Sequence, residues 1–127
     1  MAWKTDREKV AHILRRFGLG ATDADVLYYL QGGTFDSAID RLLDFESEPE
    51  VVDIDLEEFR DPKATNYNTR DVQLWWLARL LTTRRPGLET LTVFWHDHFA
   101  TSDAKVNAAY LMFEQNRTLR QHAGGKF

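Results

Sequence analysis

Two of the chain's four histidines stand two positions apart in the stretch FWHDHFATSD, residues 94 to 103, between aromatic residues and a polar run. Imidazole is the side chain best suited to ligate a metal or move a proton near neutral pH, so His96 and His98 are the first candidates for chemistry. The spacing limits what they can do together. On a helix they point about 160° apart, whereas two ligands on one helical face need a spacing of three or four. A joint metal site would require the helix to break at Asp97, and no metal site is expected within this chain unless His96 meets ligands from elsewhere. The following Thr101 and Ser102 lack the surroundings of a nucleophile elbow, and capping the next helix accounts for both hydroxyls.

The elements that must position these side chains have a helical period almost throughout. Val10, Ile13, Leu14 and Phe17 repeat at helical spacing behind Thr5 and Glu8, which have the form of a capping box, and Gly18 and Gly20 end the segment. The string GLGAT is a helix stop rather than a phosphate loop, because no strand precedes it and no lysine follows in place. A second helix is predicted over Asp23 to Leu30 after Thr22, and a third over Phe35 to Leu43 with Ala38, Ile39, Leu42 and Leu43 as its stripe. Thr69 is the expected cap of a helix through Leu81 that is apolar on two opposite sides, one formed by Leu74, Leu77 and Leu81 and the other by Val72, Trp76 and Leu80. Pro86 suits the first turn of the next helix, which carries both histidines. On that helix His98 joins Leu91, Phe94 and Trp95 on the apolar face, and His96 lies with Glu89 and Thr92. This predicts that His98 is mainly structural and His96 the better ligand or proton-transfer candidate. A last helix is predicted from Ser102 or Asp103 through Leu119, with Asn116 and Arg117 at its surface. Trp75, Trp76 and Trp95 are expected in the core unless a ligand pocket lies beside them.

Residues 45–68 break the pattern. This acidic stretch loses its period and reads as a long surface connection; its carboxylates in EVVDIDLEEF lack the glycine turn and ligand order of a dedicated calcium loop. The expected architecture is therefore all-α, an irregular bundle of about five or six helices with a long acidic connection, forming a single helical region over 1–127 within a larger helical domain.

Composition narrows the partners. The 127 residues are 43% hydrophobic and 28% charged, which fits a folded globular chain. With no cysteine there is no disulfide, thiolate ligand or cysteine nucleophile. The first segment is interrupted by charges every few residues, so neither a signal peptide nor a membrane span is read and a cytoplasmic location is the default. Residues 1–62 hold fifteen of the twenty acidic residues against seven Lys and Arg, which leaves the second half basic. Its basic residues are nevertheless scattered, which argues against a nucleic-acid partner.

Three segments, AHILRRFGLGAT (11 to 22), WWLARLLTTRRPGLETLTVFWHDHFATSDAKV (75 to 106) and LMFEQNRTLRQHAGGKF (111 to 127), together resemble the beginning of the bacterial domain of unknown function 1800 family. The most specific element is FWHDHFATSDAKV. The resemblance implies an uncharacterised helical protein, with no cofactor specified. It also implies members several times longer, whose later N-E-N-x-x-R-E and E-L-F-T-L-G motifs do not occur in this sequence. The chain is accordingly expected to be a truncated N-terminal portion with a structural or interaction role and no complete active site. The alternative is part of an enzyme, a metal-dependent hydrolase or an oxidoreductase, using His96 and His98 with residues missing from this chain. Self-association through uncovered apolar helix faces is the expected partner behaviour.

Overall fold

In the computed structural model of the chain, which describes residues 5–50 and 53–126, local capping signals set most helix starts. Thr5 and Glu8 form a reciprocal capping box at the start of α1 (Asp6–Phe17). Thr22 and Asp25 do the same for α2 (Asp23–Leu30), and Thr34 and Ser37 for α3 (Phe35–Leu43). Each box satisfies backbone N–H groups that a helix start leaves without partners. Helix α1 ends at Gly18, where the backbone turns extended and only glycine fits, since a Cβ there would lie 2.5 Å from the Leu14 carbonyl oxygen. Gly20 then turns the chain with a φ of 133°.

The remaining helices are α4 (Thr69–Thr82), α5 (Pro86–His98), the single-turn α6 (Asp103–Val106) and α7 (Ala109–His122). A 3-10 turn over Leu56–Phe59 interrupts the acidic connection. The described residues contain helices and no strands, as the sequence period predicts. The predicted last helix is divided, because Asn107 adopts a left-handed conformation and ends α6. The cap of α4 is Asn68 rather than Thr69; its side chain accepts from the Asp71 N–H, and Thr69 becomes the first helical residue. Pro86 opens α5 as expected. Among the described residues no helix is long and apolar enough to cross a membrane. The first four residues, Val51 and Val52 within the acidic connection, and Phe127 lie outside the described residues.

Helices α1, α2 and α3 pack on one another around Val10, Leu14, Val26, Tyr29, Ala38 and Leu42. A second cluster joins Leu56 of the connection to Val72 and Trp75 of α4 and Ala109 of α7. Helix α5 packs along α7 and also touches α1 and α3, so it links the two clusters. The acidic connection is tied down by apolar residues: Leu56 is buried, Ile54, Phe59 and Tyr67 pack beside it, and Glu57 and Glu58 are exposed. The Trp75 indole Nε1 donates to the Ile54 carbonyl at 2.8 Å and fixes the same segment against α4.

Candidate functional site

The helix carrying the two histidines is rotated so that only part of its expected apolar face is covered. Leu88, Glu89 and Thr92 are buried, and His96, which lies within one wheel sector of them, is half-buried. Phe94 and His98 on the expected core face are exposed, while Leu91 and Trp95 are half-buried. The prediction that His98 packs inside while His96 faces outward is therefore corrected.

The cause is a charge cluster that outweighs the apolar stripe. Glu89 is fully buried, at 0% exposure. Its carboxylate accepts from Arg120 Nε at 2.6 Å and Nη2 at 2.9 Å, from Arg79 Nε at 2.9 Å, and from the Trp76 indole at 3.4 Å. Burying a carboxylate without such partners costs several kcal/mol, so α5 can turn this face inward only where α4 and α7 supply guanidinium groups. Burial pushes the Glu89 carboxyl up, but the hydrogen bonds and charges of Arg120, and then those of Arg79, outweigh it and hold the group below the ordinary carboxylate range. A depressed folded-state value means stability that is present above the unfolded value and lost as pH falls through the folded one. The chain is expected to lose cooperative structure on acidification below the ordinary glutamate value of 4.5, and a pH series of thermal melts checks this.

The candidate residues sit at the edge of this cluster. The His96 ring meets the Trp76 ring edge-on, centroids 5.0 Å apart, and Trp76 in turn bonds Glu89. His96 Nδ1 is buried with no hydrogen-bond partner among the described residues, and so are both amide atoms of Asn116, one turn before Arg120. Asn116 is thus an interior residue, whereas sequence placed it on the surface with Arg117; Arg117 is exposed and pairs with Glu114 at 3.0 Å. His98 contacts the rings of Phe94, Trp95 and Phe99 on the outer side of α5. The two histidines are not brought together. Among the described residues no three His, Cys, Asp or Glu side chains group where a metal ion could sit.

Replacing the two histidines separates these environments. His96→Ala is expected to cost about 1 kcal/mol or more, since it removes an aromatic contact worth roughly 0.5–1.5 kcal/mol. His98→Ala is expected to cost less than His96→Ala, because its ring lies on the exposed outer side of α5 and two of its three ring contacts are with the exposed Phe94 and Phe99. Thermal melts of both variants decide, and the opposite ranking would contradict the observed rotation of α5.

The hydroxyls after the histidines also differ from expectation. Ser102 occupies the cap position of α6 without a side-chain cap bond, and the Thr101 hydroxyl donates instead to Gln115 of α7. Thr69 donates to Asp103, which fastens the start of α4 to α6.

Beside the charge cluster lies a cleft of about 640 Å³ between α4, α7 and the acidic connection. Trp75, Arg79 and Arg120 form its inner part, with Arg120 stacked over the Trp75 ring at 5.3 Å. Sequence reading placed Trp75 in the core and left Glu89, Arg79 and Arg120 without a role. The available signal was a charged residue inside the otherwise apolar stretches around Arg79 and Glu89, whereas Arg120 stands in a polar run where one more charge marks nothing.

The family described as "Protein of unknown function (DUF1800)" matches residues 12–127. No curated protein and no solved structure matches the chain.

Proposed function

The chain belongs to the family of proteins of unknown function DUF1800, with a match over residues 12–127, and we propose that it is a structural and interaction module without a complete active site of its own. Its interior charge cluster fixes α4, α5 and α7, and the outer faces of α4 and α5 dock on another helical surface. The carrying observation is the row Leu74, Leu77 and Leu81 on α4, exposed at 39%, 51% and 77%. Their spacing of three and four is the seam one helix offers another. Phe94 on α5 is a further exposed apolar residue. Exposed apolar patches on a folded chain mark interaction sites, and a two-fold pair of identical chains is the commonest way to cover them. The occupant proposed is a second copy of this chain.

The test uses the absence of native cysteine. A single Leu77→Cys variant is expected to form a disulfide-linked dimer on mild oxidation, whereas Asp36→Cys, on the exposed side of α3, is not. A Leu77→Cys chain that stays monomeric, or links no faster than Asp36→Cys, would reject the docking surface.

A second reading, part of a metal-dependent hydrolase or an oxidoreductase, has one observation in its favour. His96 Nδ1 and the Asn116 amide, which have no hydrogen-bond partner among the described residues, are polar groups that could ligate a metal or, for the imidazole, transfer a proton, and each costs stability where it stands. This reading requires bound metal that His96→Ala removes; metal analysis of the purified protein tests it.

A further inference from the structure

The cleft beside Trp75 has a chemical polarity that the charge cluster does not require. Its inner end carries Arg79 and Arg120, and its rim carries the exposed Asp53 and Asp55. Between them one stripe of α7, at steps of three and four, presents Tyr110, Phe113 and Arg117. Tyr110 stacks with Tyr67 at 6.1 Å and 20°, and Phe113 meets Trp75 edge-on at 4.7 Å.

Each feature limits what can bind. A guanidinium has five N–H donors in a fixed fork, and the described bonds to Glu89 and Glu50 use two on Arg79 and two on Arg120. Donors therefore remain for a carboxylate at the inner end, and the fully buried Glu89 holds both side chains in place before any ligand arrives. A simple anion is disfavoured by Asp53 and Asp55 at the entrance. The aromatic walls add a requirement for flat apolar surface. A volume of about 640 Å³ lies in the usual range for small-molecule sites and exceeds what a single amino acid fills.

We propose that this cleft binds a short zwitterionic peptide bearing an aromatic side chain, with its carboxylate on Arg79 and Arg120 and its ammonium group toward Asp53 and Asp55. The aromatic side chain lies along Tyr110 and Phe113. The site is separate from the outer rows of α4 and α5, so it stands or falls independently of self-association.

The probe is phenylalanyl-phenylalanine, titrated into the purified chain by calorimetry and by tryptophan fluorescence. Saturable binding is expected, weakened about tenfold, or roughly 1.4 kcal/mol, by amidating the carboxylate and by a similar factor on acetylating the amine. Tyr110→Ala and Asp53→Asn, both at exposed positions, are expected to weaken it comparably while the melt stays cooperative. No saturable binding at millimolar peptide would overturn the proposal. So would equal binding of the free, amidated and acetylated peptides, or unchanged affinity in both variants.

Discussion

Glu89→Ala is expected to lower the stability of the chain by about 3–5 kcal/mol, because it leaves two half-buried arginines without their shared, fully buried carboxylate. For a chain of this length that corresponds to a fall in melting temperature of roughly 10–20 °C. The effect exceeds that of losing one hydrogen bond, since α4, α5 and α7 all meet at this side chain through Trp76, Arg79 and Arg120. Glu89→Gln keeps an acceptor oxygen but removes the charge, and its expected loss lies between parent and Glu89→Ala. The two variants therefore separate charge pairing from shape. Thermal melts at pH 7 check the ranking, and a Glu89→Ala protein that melts with the parent would contradict the electrostatic account of the α5 rotation.

Trp75→Ala is the second large effect. Its ring is buried at 3% exposure, meets Phe113 and lies under Arg120, and its indole N–H holds the Ile54 carbonyl. Truncating a buried tryptophan costs about 3–5 kcal/mol. Here the loss also releases the strap over Leu56, so proteolysis between residues 53 and 68 is expected to quicken. Denaturant melts combined with limited proteolysis read both consequences; a destabilised variant whose segment stays protected would mean that Leu56, Ile54, Phe59 and Tyr67 anchor it without the indole bond.

The helices themselves were legible because their information is local. Thr5 with Glu8, Thr22 before Asp23, Gly18 and Pro86 each act within one turn of the chain, and each was identified from neighbours in sequence. The division of the last helix carries no strong sequence signal, because Asn107 is a weaker stop than glycine. The orientation of α5 was beyond a hydrophobic wheel for a different reason. The wheel scores Glu89 as a solvent group, and only the meeting of Arg79 with Arg120, 41 positions apart in sequence, makes its burial favourable. The same limit hid the cleft, whose walls come from three separated segments. The exposed leucine row was half legible: the period of α4 showed two apolar sides, but not that Val72 and Trp75 would be covered while Leu77 and Leu81 stayed outside.

That uncovered row is the centre of the functional account, and sedimentation equilibrium of the parent chain beside Leu77→Glu tests it most directly. Leu77 is an exposed position, so the substitution is expected to leave the fold and the melt of the monomer intact. The account predicts that the parent forms dimers whose fraction rises with concentration across the micromolar range, and that Leu77→Glu remains monomeric at every concentration. A parent chain that is monomeric throughout, or a Leu77→Glu chain that associates as strongly as the parent, would contradict it.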